Sequence, residues 1–130
     1  MHLDRIRVYM GNEGLDAVIP INLQTAAYAC GAHNPLSMHW QDQELPNFAV
    51  FPRVGDPFAV MGNAKWLEGS RRPWWIKEVY QGGWRTSEAV ERLAVVLRER
   101  GLDQATLGLD LESVPVSLVD DLHRLLPAIQ

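Results

Sequence analysis

Residues 14–31 decide the fold of this chain and read Gly-Leu-Asp-Ala-Val-Ile-Pro-Ile-Asn-Leu-Gln-Thr-Ala-Ala-Tyr-Ala-Cys-Gly. Gly14 is suited to the left-handed stop of an amphipathic helix over residues 3–13. The run Ala17–Ile19 is too short and too uniformly apolar for a surface strand, so it predicts a central strand of a sheet. A helix that leads directly into a buried strand is typical of an α/β fold.

A second helix and a long loop are predicted after this strand. Asn22 is suited to cap a helix over residues 23–29, and Gly31 is suited to end it. Residues 32–46 show no clear period. A loop of this length without structure of its own is uncommon and is usually functional or mobile. The loop is therefore the first place to look for function.

The rest of the chain predicts one hairpin, two more strands and further helices. Strands over 48–51 and 57–61 flank a Gly-Asp turn, which predicts an antiparallel hairpin. The other predicted elements are a short helix over 63–69, a half-exposed strand over 75–80 ended by Gly82-Gly83, a helix over 87–100 ended by Gly101, a strand over 105–111 and a helix over 115–126. This order predicts a three-layer α/β domain with a mixed sheet flanked by helices.

The predicted helix over residues 87–100 has the clearest pattern. Apolar residues recur at helical spacing along one face, at Val90, Leu93 and Leu97. Glu88 and Arg92 are four residues apart, which predicts an ion pair along the helix. The apolar face should therefore pack on the sheet, with the ion pair on the solvent side.

Composition and charge limit the function classes. The chain has 130 residues, 47% of them hydrophobic, which suits one domain with one ordinary core. Its net charge of −4 provides no strong positive field for nucleic acid. The single cysteine, Cys30, excludes an internal disulfide and suits a reducing cytoplasm. No signal-peptide or membrane-helix pattern is present, so we expect a cytoplasmic protein without membrane or nucleic-acid partners.

Histidines of the long loop are the first candidates for chemistry. The sequence has no Gly-x-Ser-x-Gly elbow, no Walker-type glycine loop and no His-Glu-x-x-His. His33 and His39 share the loop with Asp42 and Glu44. Their spacing matches no standard zinc arrangement, and loops are polar in any case. We therefore predict no catalytic residue and no metal site in this chain.

Two carboxylates near the end of the predicted strand over 105–111 are a further candidate. Asp110 and Glu112 point the same way if the strand continues that far, and paired carboxylates can bind a cation or transfer protons. The favoured interpretation is structural, with Glu112 or Ser113 capping the last helix.

Five tryptophans in 130 residues is a high count. Four of them surround the predicted strand over 75–80, at Trp66, Trp74, Trp75 and Trp84. Trp74 and Trp75 are adjacent, so in a strand only one of them can face the core. Because tryptophan is enriched at interface hot spots, we predict a partner surface at Trp74 and Trp75.

The order and spacing of several short patterns resemble the N-terminal domain of the creatinase, prolidase and aminopeptidase P family over essentially the whole chain. The matching patterns are Arg5-x-x-x-x-Met10, Gly14-Leu15-Asp16-Ala17, Asn22, Tyr28-x-x-Gly31, Pro52-x-x-Gly55-x-Pro57, Arg100-Gly101-Leu102, Leu107-Gly108-Leu109-Asp110 and Leu125-Leu126-Pro127. Each piece is weak alone, and the combination is specific. The resemblance implies a mixed sheet with flanking helices and a ribonuclease H-like motif.

The same resemblance implies that this domain is noncatalytic. In the family it precedes a pita-bread catalytic domain in which two Asp, one His and two Glu bind a pair of divalent metal ions. The resemblance therefore implies that residues 1–130 form one N-terminal domain and that the C-terminal catalytic domain is absent from this chain. The implied parent is a metal-dependent Xaa-Pro peptidase, a hydrolase, and the chain itself is expected to hold no cofactor.

Family N-terminal domains commonly assist dimerisation and cap the active site of the partner subunit. The implied partners are therefore the chain's own C-terminal catalytic domain and a second copy in a homodimer. Residues 32–44 are the corresponding capping segment, with His33, His39 and Trp40 as its candidate contacts. Cys30-Gly31-Ala32-His33 stands where many members have Thr-Gly and an aromatic residue, which leaves the substrate class open.

Other functions fit the same residues. One is a free-standing binding or regulatory module that uses its tryptophan-rich surface. Another is the N-terminal domain of a creatinase-like relative that is not a peptidase. A third is a small self-contained enzyme that uses His33 and His39, although no motif supports it. The reading frame after Gln130 and the activity of the purified chain distinguish among them.

Overall fold

The computed structural model describes residues 2–21, 47–62, 64–65, 75–110 and 114–130. The described helices are α1 (Leu3–Glu13), α2 (Thr86–Glu99) and α3 (Val116–Leu125), and the strands are β1 (Ala17–Ile19), β2 (Asn47–Pro52), β3 (Phe58–Met61), β4 (Glu78–Gln81) and β5 (Leu107–Leu109). Among the described residues, α1 precedes four strands, and α2, β5 and α3 follow them.

The five strands form one mixed sheet in the order β4-β3-β2-β1-β5. β1 is parallel to β5 and β3 is parallel to β4, whereas β2 is antiparallel to both of its neighbours. Four strands therefore point the same way and end at one edge of the sheet. We call this the carboxyl edge; it consists of the strand ends Ile19, Met61, Gln81 and Leu109 and the first residue of β2, Asn47.

Alternate residues of β2 pack on opposite faces of the sheet, which builds the three predicted layers. Phe48 and Val50 belong to the core cluster formed with α2 and α3. Ala49 and Phe51 belong to a second cluster, against which Leu3 of α1 packs. The sheet is the middle layer, with α2 and α3 on one side and α1 on the other. The predicted α/β fold class is thus confirmed.

Helix α1 ends where the sequence predicts. Gly14 has φ 69°, the left-handed conformation that glycine adopts without a steric penalty. The N–H of Leu15 donates to the carbonyl of Met10 at 2.8 Å, which closes the last turn. The chain then enters β1 directly, and β1 is paired on both sides. The predictions of a helix stop at Gly14 and of an interior strand are both confirmed.

The predicted hairpin and the apolar face of α2 are also confirmed. β2 and β3 pair antiparallel around a turn in which Gly55 has φ 101°. Val90, Leu93 and Leu97 of α2 are fully buried. Local turn residues and helical spacing were therefore sufficient to place these elements.

The predicted strand over 75–80 begins too early. β4 starts at Glu78, and Gln81 is its last residue before the two predicted breaker glycines. Its neighbour β3 explains the limit, because the pairing starts at Phe58 opposite Glu78. Pro57, which precedes Phe58, has no N–H to offer to a longer ladder. Trp75 therefore lies outside the sheet ladder.

Two other predicted details differ in the structure. The Glu88 carboxylate accepts a hydrogen bond from the N–H of Arg85 at 3.3 Å, and Arg92 lies over the ring of Tyr80 at 5.6 Å, so the predicted Glu88–Arg92 ion pair does not form. β5 covers only the middle of the predicted strand over 105–111, because the N–H of Ala105 donates to Leu102 in a turn. In α2, the hydrogen bond of Glu88 to the N–H of Arg85 and the contact of Arg92 with the ring of Tyr80 take the place of the predicted ion pair.

Some predictions lie outside the described residues. These are the helix over 23–29, the loop over 32–46, most of the helix over 63–69, and Glu112. In the part of the chain that the structure describes, no helix is both long and apolar enough to cross a membrane.

Candidate functional site

The carboxyl edge contains a row of three residues that lie side by side on neighbouring strands. Asn47 pairs with Met61, and Met61 pairs with Gln81. The side chain of Asn47 is buried, with 7% exposure. Among the described residues its Oδ1 has no hydrogen-bond donor. A buried acceptor without a donor is a costly feature, of about 1–3 kcal/mol.

The side-chain amide of Gln81 ties the end of β4 to the end of β3. Its Nε2 donates to the carbonyl of Gly62 at 2.5 Å and to the carbonyl of Gly82 at 2.8 Å. Its Oε1 accepts from the N–H of Lys65 at 3.2 Å. Gln81 therefore holds two strand ends and the helical residue Lys65 in a fixed arrangement at this edge.

The connection from β4 to α2 presents an exposed tryptophan on a closely packed backbone. The N–H of Gly82 donates to the carbonyl of Met61 at 2.8 Å. A Cβ on Gly83 would lie 2.1 Å from the Cβ of Glu88, so only glycine fits there. Trp84 follows directly, and 63% of it is exposed. The connection thus holds its backbone against β3 and α2 and leaves the indole ring in solvent.

An apolar groove of about 430 Å³ opens at the other end of the carboxyl edge. It lies between α1 and the ends of β1 and β5, and its lining residues are Ile6, Tyr9, Leu15, Val18, Ile19, Pro20, Phe51, Gly108, Leu109 and Asp110. A Cβ on Gly108 would lie 3.0 Å from both Leu15 and Val18. Glycine at this position lets the α1–β1 connection lie close to β5. Asp110 lies directly after the last residue of β5, and the predicted pairing of Asp110 with Glu112 stays a prediction because Glu112 lies outside the described residues.

The predicted site residues divide between described and undescribed parts of the chain. His33, His39 and Trp40 of the predicted capping segment lie outside the described residues, as does Trp74 of the predicted partner surface. Trp75 is described and is 39% exposed. No cluster of three or more His, Cys, Asp or Glu able to hold a metal ion occurs within the described ranges.

Trp75 has one covered and one open side. Its ring stacks on Phe51 with centroids 5.7 Å apart and an interplanar angle of 27°. Phe51 is buried and also lines the apolar groove. Trp75 therefore contributes to packing on the α1 side of the sheet, and its role in a partner surface stays a prediction.

Sequence reasoning placed Trp84 near the strand that became β4 but did not select it as a site residue. The available signal was the position of Trp84 between Gly82-Gly83 and the start of the predicted helix over 87–100. Its exposure could be established only from the three-dimensional structure.

Comparison of the sequence with protein-family models and with curated proteins gives no match. Solved structures give strong matches. The N-terminal domain of Xaa-Pro dipeptidase from Lactobacillus brevis matches with a TM-score of 0.70 and 15% identity, over 100% of this chain and 91% of that chain. The N-terminal domain of the cytoplasmic peptidase PepQ from Mycobacterium tuberculosis matches with a TM-score of 0.70 and 20% identity, over 98% of this chain and 88% of that chain.

This chain also matches one part of a longer protein. Xaa-Pro dipeptidase from Bacillus anthracis has a TM-score of 0.72 and 12% identity, over 98% of this chain and 31% of that chain. At these identities the likeness shows the fold. The chain has the fold of the creatinase/prolidase N-terminal domain, as the sequence patterns indicated, and it spans under a third of the Bacillus protein.

Proposed function

We propose that this chain is the noncatalytic N-terminal domain of a metallohydrolase similar to Xaa-Pro dipeptidase or aminopeptidase P. The supporting observation is that its fold matches, over nearly its whole length, domains that two solved structures present alone and that another presents as part of a longer peptidase. Within the described ranges there is also no group of three or more His, Cys, Asp or Glu residues able to hold a metal ion. Hydrolysis is therefore assigned to a C-terminal catalytic domain that holds two divalent metal ions.

The proposed role of this domain is to assist dimerisation and to cap the active site of the partner subunit. Residues 22–46 connect the end of β1 to the start of β2, and both of these points lie at the carboxyl edge. In open α/β sheets, ligands bind outside the carboxyl ends of the strands. This topology supports a capping segment at residues 32–44, with His33, His39 and Trp40 as its contacts.

The proposed location is the cytoplasm. The M. tuberculosis structure with the same fold is that of a cytoplasmic peptidase. One cysteine in 130 residues is consistent with a reducing compartment. Fractionation of cells that produce the tagged protein should recover it with cytoplasmic markers.

The reading frame beyond codon 130 provides the first test. A frame that continues and encodes two Asp, one His and two Glu in the family arrangement supports the proposal. A stop codon directly after Gln130 contradicts it and favours a free-standing binding module. The exposed ring of Trp84 is the observation that favours this alternative.

Activity provides the second test. The full gene product should hydrolyse Xaa-Pro peptides, lose activity with a chelator, and recover it with a divalent metal. The purified 130-residue chain should have no such activity, and cleavage by this chain alone would contradict the proposal. Hydrolysis of creatine in place of Xaa-Pro peptides would identify the creatinase-like alternative.

Substitutions in the capping segment provide the third test. In the full product, Trp40→Ala and the double variant His33→Ala/His39→Ala should raise KM and leave the metal content unchanged. Val54→Ala is a suitable control, because Val54 is 85% exposed in the hairpin turn at the opposite edge of the sheet. Equal KM values for all of these variants would remove the capping role.

A further inference from the structure

The apolar groove between α1 and the ends of β1 and β5 lies where the strand order of the sheet reverses. β1 has β2 on one side, from which the strands follow in chain order to β4, and it has β5 on the other side. β1 and β5 are parallel to each other. In open α/β sheets, ligands bind outside the carboxyl ends of the strands at the point of reversal. Because the carboxyl ends of β1 and β5 line the groove, its position favours a ligand site.

Ordered parts of the fold form the walls of the groove. Ile19 of β1 is buried, and β1 is paired with a strand on each side. Gly14 connects α1 directly to β1, and Gly108 lets this connection lie close to β5. Ligand pockets in proteins are largely pre-formed and measure about 300–1,000 Å³. At about 430 Å³, the groove is large enough for a phenyl ring or a branched alkyl group with a short polar end.

The lining of the groove combines apolar side chains with one charge. Asp110 is the only charged residue among those that line it, and it lies directly after β5 at the carboxyl edge. The other lining side chains are apolar, apart from the hydroxyl group of Tyr9. Asp110 also has an interaction within the protein. A carboxylate has about four acceptor positions on its two oxygens, so it can accept a further donor. The ligand that complements this lining has an apolar body and a positively charged donor.

We propose that the groove binds a small apolar amine, with the ring or alkyl body on the apolar walls and the ammonium group at the carboxylate of Asp110. An ammonium–carboxylate contact is a charge-assisted hydrogen bond, which is stronger than a neutral one. A ligand with a carboxylate of its own fits less well, because like charges next to each other are unfavourable. The site requires neither a partner subunit nor a catalytic domain, so the inference is independent of the proposed function.

Titration of the purified chain with three probes of similar shape tests the proposal. The probes are phenethylamine, which is a cation at neutral pH, phenethyl alcohol, which is neutral, and hydrocinnamate, which is an anion. Amide chemical shifts of the isotope-labelled protein report where each probe binds. Phenethylamine should cause saturable shifts at Ile19, Leu109 and Asp110. It should bind about tenfold more tightly than the alcohol, as expected for one hydrogen bond between charged groups, and the anion should bind most weakly.

Three variants separate the contribution of the carboxylate from that of the apolar walls. Asp110→Asn should lower the affinity for phenethylamine about tenfold and leave the affinity for phenethyl alcohol unchanged. Asp56→Asn is the matched control, because Asp56 is exposed in the hairpin turn at the opposite edge of the sheet, and it should change neither affinity. Tyr9→Ala removes a lining side chain that is 59% exposed, so it should weaken both probes without unfolding the protein.

Three results would overturn the inference. The first is equal affinity for the amine and the alcohol, a comparison that uses the unsubstituted chain and does not depend on the folding of any variant. The second is a set of shifts that spread over the whole surface or do not saturate, which would show nonspecific contact. The third is an equal loss for Asp110→Asn and Asp56→Asn, which would assign the effect to net charge. The proposed function stands under each of these results, because the reading frame and peptide hydrolysis test it separately.

Discussion

The carboxylate of Asp16 accepts a hydrogen bond from the guanidinium of Arg53 at 2.8 Å, although the two residues are 37 positions apart. The second carboxylate oxygen accepts from the N–H of Thr106 at 3.0 Å. The N–H of Arg53 donates to the carbonyl of Asp16 at 2.8 Å. One aspartate thus joins the start of β1 to the end of β2 and the start of β5. Asp16 belongs to the pattern that carries the family resemblance, and its observed role is structural.

Replacement of Asp16 should therefore cost more stability than replacement of Arg53. Asp16→Ala removes both hydrogen bonds and leaves the N–H of Thr106 without its acceptor, which should lower the free energy of unfolding by about 1–2 kcal/mol. Arg53→Ala removes only a pair whose side chains are 43% and 38% exposed, at a cost below about 1 kcal/mol. Urea denaturation measures both values. Equal costs would contradict the bridging role of Asp16.

Glycine at position 83 should be essential for packing, in contrast with Gly11. Gly83→Ala places a Cβ 2.1 Å from the Cβ of Glu88, so α2 must shift, and we expect a loss of about 1–3 kcal/mol. Gly11 is exposed within α1, and a Cβ there meets no atom within 4 Å. Gly11→Ala should stabilise the protein by about 0.5–1 kcal/mol through helix propensity. Thermal unfolding followed by circular dichroism should shift in opposite directions for the two variants.

Replacement of Arg100 by either alanine or lysine should lower the free energy of unfolding. Its guanidinium forms an ion pair with Glu78 and donates to the Tyr80 hydroxyl at 3.1 Å. The Tyr80 hydroxyl donates to Glu78 at 3.0 Å, and the guanidinium lies over the ring of Phe58 at 4.9 Å. The side chain of Arg100 is only 26% exposed, so solvent weakens these contacts less than at the open surface.

For Arg100→Ala we expect a loss of about 2 kcal/mol, from the ring contact and the lost hydrogen bonds. Arg100→Lys should recover less than half of it, because an ammonium group lacks the planar donor geometry. A double-mutant cycle with Tyr80→Phe should give a nonzero coupling energy. Simple additivity of the two substitutions would show that the hydroxyl contact contributes nothing to stability.

Substitution of Trp75 should cost more stability than substitution of Trp84. Trp75→Ala removes a ring stacked on Phe51 and should cost about 1–2 kcal/mol. Trp84→Ala removes an exposed ring and should change the free energy of unfolding by no more than about 0.5 kcal/mol. Guanidinium titration of the two variants under identical conditions checks the difference. A larger cost for Trp84 would assign it to the core instead of to a binding surface.

Local sequence patterns predicted most of the elements, for identifiable reasons. Gly14 and Gly101 adopt left-handed conformations, with φ 69° and 70°, at the ends of α1 and α2. The turn around Gly55 joins two apolar runs that are close in sequence, and they pair as an antiparallel hairpin. Errors arose where a distant partner set the limit, as at β4, whose length follows from β3. They also arose where a nonlocal contact replaced a predicted ion pair along a helix, because Arg92 lies over the ring of Tyr80 and does not pair with Glu88.

The candidate site was less predictable than the fold. An adjacent pair of tryptophans was selected as a partner surface from sequence, yet Trp75 is partly covered by Phe51 and Trp84 is the more exposed ring. The exposed fraction of a side chain depends on which other helices and strands pack over it. The identity of the residue alone says little about that packing. The family patterns identified the fold because they combine turn glycines and strand residues in a fixed order, even at 12–20% identity to the matching structures cited.

The sequence by itself determined which stretches form helices and strands and where helices such as α1 end, because glycine conformations and hydrophobic periodicity act over only a few residues. The tertiary structure alone decided the strand order, the joining of three strand ends by Asp16, and the presentation of Trp84 at the carboxyl edge. These features depend on contacts between segments far apart in the chain. Such contacts form only when the whole sheet and its helices pack together, so no short stretch of residues can specify them.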